Sequence, residues 1–116
     1  MAEVRLRTVD SFADGRFRGN PAGVVMLDEA PPDEWMATVA HEANLSDTAF
    51  VIRTRLSNAD FRLRWFTKGP VEDDLCGHAT LAAAHCLFED RVSSPIRFAT
   101  RSGVRLPLIS PSAQAF

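Results

Sequence analysis

The sequence has few of the features that mark nucleic-acid-binding, membrane or secreted proteins. Lys68 is the only lysine among 13 Lys and Arg residues, and the basic residues are scattered along a chain of net charge -2. The chain therefore offers no basic field to nucleic acid or anionic lipid. The longest apolar run, residues 79–88, is interrupted by Thr80 and His85 and is too short to span a bilayer. The first ten residues lack the apolar run of a signal peptide, and we expect a cytoplasmic protein.

Cysteine is also sparse, and its placement argues against a disulfide or a metal site. Cys76 and Cys86 are the two cysteines. On one helix their Cα atoms would lie about 15 Å apart, beyond disulfide reach, so we expect two free thiols. Together with His78 and His85 they match no structural zinc spacing. We predict no metal site, with Cys86 in the core and His85 as a buried polar group whose hydrogen bonds are satisfied.

Several familiar catalytic motifs are missing as well. The sequence contains no Walker A loop, no GxGxxG fingerprint and no GxSxG nucleophile elbow. Leu45 stands where a zinc-protease helix beginning at His41 would need its second histidine. What remains is a chain of 116 residues, 46% hydrophobic and 24% charged, which has the ordinary size and composition of one globular domain.

The hydrophobic pattern predicts an α+β fold. A buried helix is predicted over residues 77–89, because apolar residues cover nearly all of its faces. Two prolines and two acids at 31–34 predict the start of an earlier helix. We expect mostly antiparallel pairing, because turns join consecutive strands, in a curved sheet wrapped around the buried helix. The predicted strands are residues 4–7, 22–27, 48–52, 61–65, 96–99 and 104–106.

Two segments combine turn residues with a side chain that can do chemistry. The segment Gly19-Asn20-Pro21, taken alone, predicts a plain turn. Asp47 follows Asn-Leu-Ser and stands at the entry to an apolar strand. A carboxylate partly removed from water has a raised pKa and can act as a base near neutral pH. The more common use of Asp is as a turn or cap residue.

A third segment, Cys76-Gly77-His78, opens the predicted buried helix. Free backbone N–H groups and the helix dipole make a helix start suitable for an anion. Gly77 would let a substrate carboxylate approach the backbone closely, and His78 could donate a hydrogen bond or carry a proton. Helix capping is the alternative role, although neither Cys nor His is a preferred cap residue.

In combination, these segments resemble the N-terminal half of the PhzF-like isomerases of phenazine biosynthesis, relatives of diaminopimelate epimerase. The combination of GNP, NLS-acid-TAF and CGHATLA is highly specific, whereas each motif alone is weak. The matching stretches cover most of residues 4–105 in the same order. They are VDSFADGRFRGNPAGVVML (9–27), HEANLSDTAFV (41–51), RLRWFT (62–67), DLCGHATLAAAHCLF (74–88) and RFATRSG (97–103).

The resemblance implies a proton-shifting isomerase or epimerase that acts on a small carboxylate-bearing substrate, without metal or organic cofactor. Asp47 takes the place of the catalytic acid/base, which in the family is usually Glu. The pair Gly77 and His78 aligns with the substrate-contacting loop, and Asn20 and Cys76 are expected nearby. Cys76 falls where the epimerase relatives place a catalytic thiol.

The resemblance also implies the architecture, and it leaves two functional interpretations open. Residues 1–106 are expected to form one lobe of a diaminopimelate-epimerase-like fold, and residues 107–116 an irregular tail. In the family a second lobe supplies another catalytic acid and the other wall of the site. One interpretation is an enzyme in which two copies pair as a homodimer, with the site at their interface. The alternative is a truncated, non-catalytic lobe that retains the fold, with or without carboxylate binding.

Overall fold

The chain folds as one mixed sheet with a helix on each face. The computed structural model describes residues 4–11, 20–54, 59–73, 77–90, 92, 96–100 and 103–104. The strands are Leu6–Ser11 (β1), Asn20–Leu27 (β2), Asp47–Arg53 (β3), Phe61–Thr67 (β4), Glu72–Asp73 (β5), Phe98–Thr100 (β6) and Gly103–Val104 (β7), and the helices are Asp33–Ala43 (α1) and Gly77–Glu89 (α2).

The pairing in this sheet is mostly antiparallel, as predicted. The strand order is β1-β2-β3-β4-β6-β7, and β5 pairs with β4 on the same side as β6. Strands that directly follow one another in the chain are antiparallel: β1 with β2, β3 with β4, β4 with β5 and β6 with β7. The two parallel pairs, β2 with β3 and β4 with β6, are joined through α1 and α2, because a parallel connection needs a crossover element.

The two faces of the sheet bury separate apolar clusters. Side chains alternate between the faces along each strand, so Ala49 and Val51 of β3 face α2, and Phe50 and Ile52 face α1. β3 lies at the centre, and its first six residues are all buried. The cluster on the α2 face contains Trp65 of β4 together with the buried alanines of the helix, Ala79, Ala82, Ala83 and Ala84.

The predicted helices agree closely with the structure. Both bounds of α2 are those expected, and α1 begins after Pro32, whose carbonyl accepts the N–H groups of Trp35 and Met36. Cys86 is a free, buried cysteine, as predicted. In the part of the chain that the structure describes, no helix has the length and apolar character needed to cross a membrane.

Some details differ from the expectation. His85 is exposed rather than buried, and its Nε2 lies 3.3 Å from Glu89 Oε2 one turn later. Leu81, on the same side of α2, is 41% exposed, so the described elements enclose the helix on its other faces only. Ile96 forms a single bridge and β6 begins at Phe98. The tail at 107–116 lies outside the described residues.

Candidate functional site

One end of the sheet gathers the segments that the sequence singles out. β2 and β3 are parallel, with Ala22 beside Asp47, so both strands begin at this end. β4 is antiparallel to β3 and ends here, with Thr67 opposite Asp47. We refer to this end of the sheet, with Asp47 and the start of α2, as the Asp47 site.

Helix α2 runs away from this end, so its N-terminus belongs to the Asp47 site. Near its C-terminus, Leu87 and Asp90 line a cavity together with Arg53 and Phe61, which lie at the opposite end of β3 and β4. A helix of 13 residues is about 20 Å long, close to the length of a seven-residue strand. Its first turn therefore lies beside the beginning of β3.

Asp47 is the functional side chain that the structure positions most fully. Because it alternates with Ala49 along β3, its carboxylate lies on the α2 face of the sheet. The residue is only 8% exposed, and its Oδ1 is inaccessible to solvent. On this face its strand neighbours include the small apolar residues Ala22 on β2 and Ala49 on β3, and Thr67 lies opposite it on β4. A carboxylate at the entry to a buried strand, as the sequence predicts, is therefore what the structure contains.

The other predicted site residues are placed by their backbones alone. Asn20 is the first residue of β2, two positions before the partner of Asp47. Gly77 and His78 form the beginning of α2, whose first turn contains no acidic residue to neutralise the positive end of the helix. The structure thus brings the segments of Asn20, Asp47 and Gly77-His78 to one end of the fold. Cys76 lies outside the described residues.

The backbone before Asp47 is set by the end of helix α1. Asn44 has φ 57° and ψ 33°, the left-handed conformation that Asn tolerates better than most residues. Its N–H bonds to the carbonyls of Ala40 and His41 at 3.3 and 3.2 Å. This turn ends the helix and directs the chain into β3 within three residues. His41 also anchors the neighbouring loop, with Nδ1 3.0 Å from the carbonyl oxygen of Lys68.

A second anchor holds the strand that leads towards α2. Arg64 of β4 donates from Nε and Nη2 to the two carboxylate oxygens of Glu72 in β5, at 2.8 and 2.7 Å. Its Nη1 donates to Asp33 at the start of α1, at 2.8 Å. The guanidinium lies 5.4 Å from the centroid of the Phe66 ring. These carboxylates raise the pKa of Arg64, so the guanidinium stays charged throughout the accessible pH range.

Sequence reasoning missed two residues that shape this region, Arg64 and Trp65. Both lie in the predicted strand at 61–65, and neither is predicted as a functional residue. For Trp65, the indole N–H could have indicated a polar partner nearby, because a buried tryptophan normally donates this N–H to an acceptor. For Arg64, the two acids at 72 and 73, directly after the strand and its turn, could have indicated an ion pair.

Comparison with known proteins places the chain in a family. The family model described as "Phenazine biosynthesis-like protein" matches residues 9–114. An uncharacterized isomerase of Pseudomonas aeruginosa is 52% identical over 103 residues, which are 87% of this chain and 38% of that protein. A human phenazine biosynthesis-like domain-containing protein is 41% identical over 101 residues, 81% of this chain and 35% of that protein. The chain thus spans less than half the length of these curated relatives.

Solved structures give the same assignment. A crystal structure of a PhzF-family phenazine biosynthesis protein from Enterococcus faecalis matches with a TM-score of 0.79 and 40% identity, covering 90% of this chain and 39% of that one. The PhzF-family protein of Bacillus anthracis matches with a TM-score of 0.79 and 30% identity, covering 93% of this chain and 36% of that one. The fold is therefore the N-terminal part of the PhzF/epimerase-like fold, and the chain belongs to the phenazine biosynthesis-like (PhzF) family.

Proposed function

We propose that this chain carries the N-terminal half of an isomerase site, in which Asp47 moves a proton at a carbon of a small carboxylate-bearing substrate. The observation that carries the proposal is the placement of Asp47, a nearly buried carboxylate on the α2 face at the end of the sheet where α2 begins. The names of relatives such as the Pseudomonas aeruginosa isomerase support it.

The two parts of the Asp47 site supply complementary chemistry. The start of α2 presents backbone N–H groups and the positive end of the helix dipole, which favour a substrate carboxylate. Asp47 can then accept a proton from a carbon of the bound molecule and return it at the same or a neighbouring carbon. Its low exposure limits the water that would compete for the proton. Positioned acid–base catalysis of this kind contributes about 10²–10⁴-fold in rate.

Asn20, Gly77 and His78 complete the proposal as substrate-binding residues, with Cys76 expected nearby. His78 would contribute a hydrogen bond donor or a second proton carrier. Homodimer formation, which would supply a second wall to the site, remains a prediction that light scattering can test, and the cytoplasmic location also stays a prediction.

A deuterium wash-in experiment tests the proposal directly. The protein is incubated in D₂O with a panel of small carboxylates that have an acidic C–H near the carboxylate, and deuterium in the recovered acids is measured by mass spectrometry. We expect incorporation by the unmodified chain and a loss of 10²-fold or more in Asp47→Asn. Asp47→Glu should retain activity, because it restores the residue usual in the family.

Asp28→Asn is the matched control, because Asp28 lies at the opposite end of the sheet and its side chain is 88% exposed. Incorporation should be unchanged in this variant. Incorporation that survives in Asp47→Asn would contradict the assigned role of Asp47. Carboxylate binding without any incorporation would favour the alternative, a binding lobe without turnover.

A further inference from the structure

The indole of Trp65 is buried, and no described residue accepts a hydrogen bond from its N–H group. The residue is 1% exposed, and Nε1 has no hydrogen-bond partner within the described ranges. A buried donor left unpaired is costly, and buried tryptophans normally have a partner. The absence of one at a single defined atom therefore requires an explanation.

The strand register places this donor beside Asp47. In the antiparallel pair of β3 and β4, Trp65 is opposite Ala49, and Asp47 is opposite Thr67. Asp47 and Trp65 are therefore diagonal neighbours on the same face of the sheet. Such positions lie about 7–8 Å apart at the backbone, within reach of an aromatic side chain.

Most of the described side chains around the indole carry no acceptor for its N–H group. Away from the Asp47 site, the same face contains Leu63, Val51 and Leu87, whose side chains have no acceptor atoms. Asp73, directly across from Trp65 on β5, is not bonded to Nε1. The alanines of α2 that share the cluster also offer no acceptor in their side chains. On the other side of Trp65 along the strands lie Asp47 and the start of α2.

We infer that Trp65 Nε1–H is a ligand-binding donor of the Asp47 site, which hydrogen-bonds an acceptor oxygen of the bound carboxylate compound. The inference rests on the proposed function, and it adds a residue that would select which carboxylate compounds bind. A ligand must present an oxygen to the indole while its reacting carbon lies at Asp47. Thr48 Oγ1 is also buried without a partner among the described side chains, but by strand alternation it lies on the α1 face and is not part of this site.

Two tryptophans give the test an internal control. The chain contains Trp35 and Trp65 only, so a ¹⁵N spectrum shows two indole signals, and Trp35→Phe assigns them. Trp35 lies on the α1 face, with its ring edge-on to Phe50 at 6.2 Å. The unmodified protein is titrated with sodium butyrate, and with n-butanol as a ligand of similar size without a carboxylate.

We expect butyrate, and not butanol, to shift the Trp65 indole signal in parallel with the backbone amides of Asp47 and Gly77, while the Trp35 indole stays in place. Trp65→Phe, which keeps the aromatic bulk, should weaken butyrate binding about tenfold, and Trp35→Phe should leave it unchanged. The titration of the unmodified chain does not depend on how well Trp65→Phe folds.

The results of this titration distinguish a failure of the inference from a failure of the proposed function. If the amides of Asp47 and Gly77 respond and the Trp65 indole does not, the inference is wrong and the proposed function stands. If the free protein already shows a hydrogen-bonded Trp65 indole in contact with water, an internal water satisfies the donor and the inference is also wrong. If neither the amides nor the indole respond, the site does not bind carboxylates, and both proposals fail.

Discussion

Arg64 and Glu72 form a bidentate ion pair, with both contacts at 2.8 Å or less and side-chain exposures of 12% and 15%. The pair holds β5, a strand of only two residues, against β4. Removing one partner of a pair this well buried leaves an uncompensated charge, which is costly.

We predict that Arg64→Met lowers the free energy of unfolding by about 2–3 kcal/mol, less than for a fully buried pair because part of each group reaches solvent. Urea denaturation measures the change. Arg53→Met is the matched control, since its ion pair with Asp28 is 72% and 88% exposed, and it should change stability by less than about 0.5 kcal/mol. Equal effects of the two substitutions would show that the Arg64 pair contributes no more than a surface contact.

Gly23 is required by the close approach of β1 and β3 to β2. A Cβ at this position would lie 2.9 Å from Leu6 Cδ1 and 3.0 Å from Thr48 Oγ1. Leu6 is partly exposed and can move, but Thr48 is fully buried. We therefore expect Gly23→Ala to destabilise the protein by about 1–3 kcal/mol in thermal or urea unfolding.

Gly69→Ala is the control for this substitution, because the nearest atom to its added methyl would be 3.7 Å away and its effect should be small. In the double variant Gly23→Ala/Thr48→Ala, the new methyl no longer meets Thr48. The two substitutions should then be less destabilising together than the sum of their separate effects. Additive effects would exclude a clash with Thr48 as the cause.

Asn44 ends α1 in the left-handed conformation. The stability of variants at this position should therefore follow how well each residue tolerates a positive φ. Asn44→Gly should be close to neutral, whereas Asn44→Val should cost about 1–2 kcal/mol. Glu42→Ala, at an exposed position of the same helix, should change stability by less than about 0.5 kcal/mol. If Gly and Val are equally tolerated in urea unfolding, the turn before Asp47 is not held in this conformation.

Cys86 should be unreactive in the folded protein. Burial raises the pKa of its thiol, and this outweighs the opposing effect of the nearby Arg7 guanidinium. In a Cys76→Ser background, where Cys86 is the single cysteine, iodoacetamide at pH 7.5 should label the urea-unfolded chain and spare the native one. Rapid labelling of the native chain would contradict the burial of this thiol.

The same pKa shift gives a pH dependence of stability. Above the ordinary thiol pKa of about 8.5, the unfolded chain releases a proton that the folded chain retains at Cys86. The unfolded state then binds fewer protons, so the free energy of unfolding falls as the pH rises through this range. Cys86→Ala removes the ionisable group, and the contribution of this group to the decline should disappear from its unfolding curves.

The sequence predicted the elements whose signal is local. The bounds of α2 follow from one continuous apolar segment with a glycine at its start, and β4 follows from the alternation of Phe61, Leu63 and Trp65 with arginines. β5 could not be predicted, because Glu72 and Asp73 have no strand pattern and Glu72 is held in place by Arg64 across the sheet. The prediction that His85 is buried was wrong, because its apolar neighbours suggested a helix enclosed on all sides, whereas its own side of α2 faces solvent.

The candidate site was predictable in part for the same reason. Asp47 and the start of α2 are local motifs, and the parallel pairing of β2 with β3 then brings them to one end of the sheet. The position of Trp65 beside Asp47 was not predictable, because it depends on the register between two strands. That register is fixed by side-chain packing across the sheet and not by either strand alone.

The central position of β3 affects the stage of unfolding at which the protein loses the Asp47 site. The strand is hydrogen-bonded on both sides, and six consecutive residues beginning at Asp47 are buried. Segments enclosed in this way exchange their amide hydrogens only through the largest opening events of the molecule. We therefore expect Asp47 to lie in the part of the fold that opens last, so that partial unfolding at the periphery leaves the proposed acid/base in its place.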